Sequence, residues 1–384
     1  MSTPQKVFLI TNIPTPYRIP LFNEINKQLE ERNIKLKVIF GALGYARRKW
    51  LIDMSECTFD YKILTTRSIQ FSNPEKASFT YSGLYQLISK EKPSVIISNG
   101  FSIATVKLWM RSWFKKTLYL IWSGDVERED VSDSFLIQLQ RRLLIKKASG
   151  FIAYGTKAKE YLVFLGADEQ EIEIGINTVD TQFYIKETER KVDKSKNDYG
   201  KKHLLCVSHL TQRKRIDQLL QIIKVLLSMR NDFILEIVGD GIEMENLKIL
   251  TEKLEIANYV KFIGFKQKLD MPKYFIKADC FLFPSAFDIW GLVLIEAMSA
   301  GLPCIASIYA RVCHDVIKEG ITGYAMDFSK EDDVAEKINW ILGNPDKSKE
   351  IGQNARNFIS KHVSLEKSAE GFVKAITNSL NYHV

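Results

Sequence analysis

One stretch concentrates residues able to do chemistry on a phosphate-bearing ligand. It reads Phe283-Pro284-Ser285-Ala286-Phe287-Asp288-Ile289-Trp290-Gly291-Leu292-Val293-Leu294-Ile295-Glu296-Ala297-Met298-Ser299-Ala300-Gly301-Leu302-Pro303. An apolar strand-like run ends at Phe283, and Pro284 with Ser285 turn the chain outward. Gly291 opens a helix that Gly301 and Pro303 stop. The first turn of such a helix leaves backbone N–H groups unpaired and carries partial positive charge, so phosphate is a natural guest. Gly291 lets a ligand approach that backbone. Asp288 precedes the helix and Glu296 lies in its second turn. Two carboxylates flanking a phosphate suit a ligand with hydroxyls at both ends, such as a nucleotide sugar. The plainer alternative is a capping Asp288 and a solvated Glu296.

A second charged cluster follows another strand-like run: Cys206-Val207-Ser208-His209-Leu210-Thr211-Gln212-Arg213-Lys214. Cations after a strand suit a leaving phosphate, although a basic run such as Arg213–Arg215 also suits a solvated helix start. Two turns complete the set, Ile237-Val238-Gly239-Asp240-Gly241 and Val260-Lys261-Phe262-Ile263-Gly264-Phe265. A lone Gly-Asp-Gly is weak, since many strand ends carry one.

These residues need a scaffold, and the hydrophobic pattern supplies one. In the first half strands are expected at Val7–Thr11, Leu36–Phe40, Tyr61–Leu64, Val95–Ser98, Leu118–Trp122 and Phe151–Tyr154. Amphipathic segments alternate with them: Leu21–Glu31, Leu84–Lys90, Ile103–Arg111, Ser134–Lys147 and Lys157–Leu165. The stretch Glu187–Lys202 is almost wholly polar and reads as a linker. The alternation then restarts, with strands at Leu204–Ser208, Ile234–Val238, Val260–Ile263, Cys280–Phe283 and Cys304–Ala306 and helices between and after them, the last at Glu366–Leu380. Such alternation means βαβ units and parallel sheets covered on both faces. The expected class is α/β, with two Rossmann-like αβα domains facing across a cleft. Residues 1–182 form the first domain, 183–202 the linker and 203–361 the second domain, with about 362–384 packing back on the first. Ligands of such sheets bind beyond the carboxyl ends of the strands.

The bulk numbers agree with this organisation. At 384 residues the chain suits about two domains. No apolar run reaches the ~18 residues of a spanning helix, and the first residues carry no signal-peptide pattern. Cys57, Cys206, Cys280, Cys304 and Cys313 are scattered without a C-x-x-C pair, which favours free thiols over disulfides or zinc. The five histidines show no metal-ligand spacing and no Asp-x-Asp element is present, so no metal or other cofactor is expected. Net charge is +8. Residues 1–180 hold 25 Lys/Arg against 19 Asp/Glu and the rest 29 against 27, so the excess lies in the first half. An anionic partner follows: a membrane surface, a phosphate-bearing acceptor or, last in rank because no module signature accompanies it, nucleic acid.

The Phe283–Pro303 stretch resembles the donor-site signature of retaining glycosyltransferases of family 4, which have the GT-B fold. Their pattern is acid-x7-Glu followed by Ala-Met-small-x-Gly-x-Pro. Asp288 stands where most members have Glu, and Glu296 matches the second acid. The resemblance implies that Asp288 contacts the transferred sugar and Glu296 the ribose. Ile289, Trp290, Gly291, Leu292 and Val293 then face the donor. The His209–Lys214 loop resembles the family's Val-Gly-Arg-Leu-x-x-x-Lys element, whose Arg and Lys grip the donor diphosphate. Lys214 matches, His209 replaces the Arg, and Arg213 stands next door. Gly239 lies in the counterpart of the Val-Gly-x-Gly turn, and Gly264 with Phe265 in the segment lining the nucleobase. Asn177-Thr178-Val179-Asp180 with Phe183 resembles the element at the domain junction, and Gly320-Ile321-Thr322-Gly323-Tyr324 the late turn. The resemblance covers about residues 175–330 well and the first half loosely.

The first half would take the acceptor. Thr15-Pro16-Tyr17-Arg18 follows the first strand, where many members carry a Gly-Gly loop, and the Pro-Tyr-Arg form resembles one branch of the family. Pro16, Tyr17 and Arg18 become acceptor-side candidates, as do Asn99, Ser123 and Asp125 at later strand ends. Many members have a His where Ser123-Gly124-Asp125 stands. Basic residues interleave with aromatic ones at Arg47–Trp50 and Lys107–Lys116, and a further basic run spans Arg141–Lys147. That pattern suits a surface resting on an anionic membrane, or plain core packing with solvated charge. The expected activity is transfer of a sugar from a nucleotide-diphosphate sugar, UDP-sugar before GDP-sugar, to a hydroxyl of a glycan or lipid-linked acceptor, in the cytoplasm or at the inner face of a membrane. Alternatives are a same-fold epimerase or phosphorylase and an inactive binding partner. A dinucleotide oxidoreductase is disfavoured, because the first turn lacks G-x-G-x-x-G.

Overall fold

The computed structural model describes residues 4–44, 51–64, 68–70, 77–127, 135–189 and 200–381. The chain divides into two units, Met1–Val179 with Leu365–Val384, and Asp180–Ser364. In the first unit the elements run β1 (Gln5–Thr11), α1 (Ile19–Glu30), β2 (Ile34–Phe40), β3 (Asp60–Ile63), β4 (Ser68–Gln70), β5 (Ala77–Phe79), α2 (Leu84–Glu91), β6 (Val95–Asn99), α3 (Ile103–Ser112), β7 (Tyr119–Ser123), α4 (Phe135–Ile145), β8 (Phe151–Ala153), α5 (Thr156–Leu165) and β9 (Ile172–Ile174). Seven strands form one sheet in the order β3-β2-β1-β6-β7-β8-β9, parallel throughout, and β4 pairs antiparallel with β5. The central strands are apolar without alternation because helices cover both faces: Val7–Ile10, Val95–Ile97 and Tyr119–Trp122 are all buried.

The second unit opens with a helix, α6 (Thr181–Glu189), where the polar composition suggested that a linker begins. Tyr184 is buried and Ile185 nearly so, and residues 190–199 of the expected linker lie outside the described residues. The elements continue β10 (Lys202–Val207), α7 (Ile216–Leu226), β11 (Phe233–Val238), α8 (Met244–Lys253), β12 (Val260–Gly264), α9 (Met271–Lys277), β13 (Cys280–Phe283), α10 (Leu292–Ser299), β14 (Cys304–Ser307), α11 (Cys313–Val316), β15 (Tyr324–Met326), α12 (Glu331–Gly343) and α13 (Pro345–His362). Six strands form a parallel sheet in the order β12-β11-β10-β13-β14-β15. The last helix, α14 (Leu365–Asn381), returns to the first unit. There it approaches so closely that a Cβ on Gly371 would lie 2.1 Å from the carbonyl oxygen of Ile174, and Phe372 packs edge-on against Trp122 at 5.0 Å between ring centroids.

Both sheets share one topological feature that positions chemistry. The order of strands reverses beside the first strand of each, between β1 and β6 in one and between β10 and β13 in the other. The loops leaving the carboxyl ends of such a pair diverge to opposite faces, and the space they leave is where parallel sheets bind ligands.

Candidate functional site

In the second unit the loops that leave β10 and β13 carry the residues singled out above, and the structure brings them together. A 3₁₀ turn, Gln212–Lys214, follows β10. The Lys214 ammonium forms a close ion pair with the Asp288 carboxylate, and the Arg213 guanidinium stands 3.9 Å from its other oxygen. Arg213 also donates to the carbonyl of Phe287, while Ala286 N–H donates to the carbonyl of Arg213 at 3.0 Å. The two loops are therefore stitched through both backbone and side chain. Lys214 lies 5.3 Å over the Phe283 ring. Its ammonium has three N–H donors, so pairing with Asp288 does not exhaust it.

Gly291 sits at the N-cap of α10 with φ +96°, left-handed backbone that favours glycine, and a Cβ there would press to 2.9 Å of the Phe283 ring. Gly291 as N-cap has no side chain with which to bond the first turn, and no acid occupies that turn. Its positive end is left for an external acceptor of hydrogen bonds. Leu292 and Val293 are half-buried, Ile289 is exposed, and Trp290 turns inward and is buried. The backbone of Trp290 thus precedes the helix while its ring belongs to the core.

Glu296, one turn further on, is half-buried. Tyr184 of α6 donates its hydroxyl to this carboxylate. Burial pushes the Glu296 carboxyl up to about 7, against the lowering exerted by the Tyr184 hydroxyl and the nearby Lys268 ammonium. Neither Tyr184 nor Lys268 was singled out from the sequence. Tyr184 follows the Asn177–Phe183 element directly, but its partner is more than a hundred positions away and no local spacing announces it.

Two further strand ends close the arrangement. His209 Nδ1 lies 2.7 Å from the carbonyl oxygen of Asp240, and Leu210 N–H donates to the same oxygen at 2.9 Å. Gly239 must be glycine here, since a Cβ would fall 1.8 Å from the Ser208 carbonyl oxygen. Gly239 N–H donates in turn to the carbonyl of Gly264 at 3.0 Å, and Phe265 follows half-buried. The loops after β10, β11 and β12 thus form one bonded surface beside the Lys214–Asp288 pair.

The first unit gathers its own candidates at the matching place. Arg18 after β1, Asn99 at the end of β6, Ser123 and Asp125 after β7, and Tyr154 after β8 converge. Arg18 Nη2 donates to the Tyr154 hydroxyl at 2.7 Å, and Asn99 Nδ2 lies 3.4 Å from that same oxygen. Ser123 Oγ donates to the Asp125 carboxylate at 3.1 Å. Pro16 and Tyr17 belong to the turn before Arg18, half-buried. Tyr154 is the residue sequence reasoning passed over, although its place beyond a strand's carboxyl end is the signal that selected the others.

All five cysteines are free, and burial raises the thiols of Cys206 and Cys313 to about 12, which makes them unreactive. Among the described residues no three His, Cys, Asp or Glu side chains converge to hold a metal ion. No helix among them is long and apolar enough to cross a membrane. Arg47–Trp50, one of the basic-aromatic stretches, lies outside the described residues.

Comparison with known proteins assigns this architecture. Residues 187–358 match the family of glycosyl transferases group 1. A protein in the cps region of Klebsiella pneumoniae is 30% identical over 255 residues, 66% of this chain and 62% of that one. The N-acetyl-alpha-D-glucosaminyl L-malate synthase of Bacillus anthracis is 29% identical over 202 residues, 52% of this chain and 51% of its own length. The chain thus spans between about half and under two thirds of these two relatives. Among solved structures, HepE of Anabaena, determined with UDP, superposes with a TM-score of 0.75 at 18% identity, over 97% of this chain and 99% of that one. Residues 187–358 thus carry the match to glycosyl transferases group 1, and the chain's two parallel-sheet Rossmann-like units share the fold of HepE.

Proposed function

We propose that this protein transfers a hexose from UDP-sugar to a hydroxyl of a glycan or lipid-linked acceptor, with retention at the anomeric carbon, in the synthesis of a cell-surface polysaccharide or glycolipid. The observation that carries the reading is the pairing of Lys214 with Asp288 at the β10/β13 reversal, beside the uncapped start of α10. Lys214, Arg213 and the helix end stabilise a departing diphosphate without a metal. Asp288 holds the sugar and Glu296 the ribose. Preference for uridine is supported by HepE, whose structures contain UDP and UDP-glucose. The cps-region relative supports a polysaccharide setting. In the step itself the bond from the anomeric carbon to the phosphate oxygen breaks. The acceptor oxygen bonds to the same face, and its proton passes to the leaving phosphate, so no protein nucleophile is needed.

The acceptor is placed in the first unit and the protein at an anionic lipid surface. Support comes from the exposed aromatic and aliphatic residues at the ends of α3 and α4. Phe114 is 88% exposed and Phe135 77%, with Trp113 and Leu136 also exposed. Lys115, Lys116, Arg142, Lys146 and Lys147 are near them in sequence, and the Lys147 ammonium lies 4.7 Å over the Trp113 ring. Apolar side chains interleaved with cations fit a headgroup layer.

The test is a thermal-shift screen of the full chain against UDP, GDP, ADP and dTDP, with and without magnesium. A ligand bound only by the folded state raises the melting temperature. UDP is expected to shift it independently of magnesium, and Lys214→Ala to reduce the shift at the same UDP concentration. No shift with any nucleotide would overturn the donor assignment and favour an inactive binding partner.

A further inference from the structure

Arg18 is placed where simple electrostatics would forbid it. It is the N-cap residue of α1, a helix of 12 residues with no side-chain capping bond and no acid in its first turn. The start of a helix already carries partial positive charge. A guanidinium there adds charge of the same sign, and this one is only 8% exposed. A buried charge without a partner costs several kcal/mol, on the order of the penalty for an ion taken out of water. Among the described residues no carboxylate pairs with it. Its surroundings are three rings, Trp122 at 4.1 Å, Tyr154 at 5.1 Å and Tyr17 at 5.5 Å from the guanidinium carbon. Stacking of this kind holds a cation's plane in place. It leaves the in-plane donors to find acceptors elsewhere. Nη2 has one, the Tyr154 hydroxyl at 2.7 Å, whereas Nη1 is buried without any.

The setting is built around this side chain. Tyr154 can lie beside Arg18 only because residue 124 is glycine, where a Cβ would fall 2.4 Å from the Tyr154 ring. Asn99 adds a further donor directed at the Tyr154 hydroxyl. The one nearby acid of this group, Asp125, is engaged by both the Ser123 hydroxyl and, through its own N–H, the Ser123 Oγ at 3.0 Å. The Arg18 and Ile19 N–H groups already donate to the Thr15 carbonyl and Pro20 has none, so the donor that remains is the Arg18 Nη1, and what satisfies it is an oxyanion.

We propose that Arg18, held between Trp122 and Tyr154 at the start of α1, is an anion subsite of the first unit that takes a phosphate or carboxylate carried by the sugar acceptor. The word acceptor rests on the glycosyltransferase reading; the anion site does not. A planar guanidinium offers two parallel donors to either group. The subsite would select acceptors bearing that charge and set the orientation of the hydroxyl to be glycosylated.

The experiment uses the full chain carrying Lys214→Met, so that phosphate binding at the second unit is weakened, and follows the melting temperature during titration with glycerol 3-phosphate and, separately, glucuronate. One of the two is expected to raise it saturably, which identifies the source of the charge. Adding Arg18→Met should remove that rise, and Arg18→Lys should retain a weaker one. Without ligand, Arg18→Met should melt no lower than its parent, because an uncompensated buried charge has been removed. The inference is overturned if neither compound shifts the melting temperature, or if Arg18→Met keeps the shift. It is also overturned if that variant melts several degrees lower, which would make Arg18 a purely structural residue. Failure of UDP binding in the wild-type chain would leave this titration readable and would count against the donor assignment alone.

Discussion

Replacing Glu296 with glutamine is expected to remove a pH dependence from UDP binding. Burial raises the Glu296 carboxyl from its ordinary value of 4.5 to about 7. An acid whose folded value is raised keeps its proton in the native state where the unfolded chain has lost it. Ligand-free stability therefore falls as pH climbs from 4.5 towards about 7, by a ceiling of about 3 kcal/mol at ~1.4 kcal/mol per unit. On the proposed donor site the ribose hydroxyls bond more strongly to the charged carboxylate than to the neutral acid, so binding favours loss of the proton. At about pH 5, two units below the midpoint, only ~1% of the group is ionised, and UDP affinity should be ~100-fold weaker through this residue than at about pH 8. UDP has a phosphate that titrates in the same region. The quantity to read by calorimetry is therefore the ratio of wild-type to Glu296→Gln affinity at each pH, which cancels it. That ratio should approach one at about pH 5 and grow ~100-fold by about pH 8. Tyr184→Phe, which removes the hydroxyl that lowers the carboxyl, should move the midpoint upward. A ratio constant across the range would refute both the raised carboxyl and its contact with the ribose.

Lys214→Met should weaken UDP by ~10- to 100-fold, the worth of a charge-assisted hydrogen bond, with an added penalty because Asp288 keeps only the more distant Arg213 as a cation beside the phosphates; unchanged affinity in calorimetry would remove Lys214 from the site. Gly371→Ala should lower the melting temperature, since its Cβ would meet the Ile174 carbonyl oxygen at 2.1 Å and overpacking against backbone costs ~1–3 kcal/mol; a wild-type melting curve would mean that α14 can shift without cost. Sedimentation with phosphatidylglycerol vesicles should exceed that with phosphatidylcholine and fall in Phe114→Glu with Phe135→Glu, while UDP binding stays unchanged; equal sedimentation of wild type and variant would refute the lipid surface.

The expected strands of the first half coincide with β1, β2, β3, β6, β7 and β8; β1, β6, β7 and β8 announce themselves as apolar runs because they are buried on both faces, whereas β2 alternates and β3 is an exposed edge strand. β9 and β15 were not expected, being short strands at a sheet edge and only partly buried. Helix α6 was hidden for another reason. Its C-terminal end is polar and runs into the polar stretch, and the residues that bury it are few, Thr181, Tyr184 and Ile185. Sequence reasoning selected residues by their position after a strand, and the structure does place Lys214, Asp288, Gly239, Gly291 and Arg18 there. It missed those defined by a partner far along the chain, as Tyr184 is by Glu296 and Tyr154 by Arg18. It also misplaced one side chain: Trp290 reads as a site residue from its neighbours, yet only its backbone borders the loop, and its ring is core.

The two cations sit in unlike settings. Lys214 and Arg18 occupy equivalent topological places, each after the first strand of its sheet and beside the reversal of strand order. Lys214 has a carboxylate partner within its own unit. The pair is electrically balanced, and its cost of burial is offset before any ligand arrives. A ligand there gains by sharing Lys214 and by reaching the start of α10. Arg18 has rings and one hydroxyl in place of a carboxylate. Its charge remains uncompensated in the folded chain, a stability cost that a purely structural role would have no reason to retain. The asymmetry predicts opposite consequences for the same operation. Neutralising Lys214 breaks the closer of the two ion pairs of Asp288 and leaves only Arg213 at 3.9 Å, so the ligand-free protein should melt lower. Neutralising Arg18 removes a lone buried charge, so the ligand-free protein should melt at or above the wild-type temperature. Measured together under one buffer, two shifts of the same sign would show that the buried environments are alike and that Arg18 is compensated within the fold.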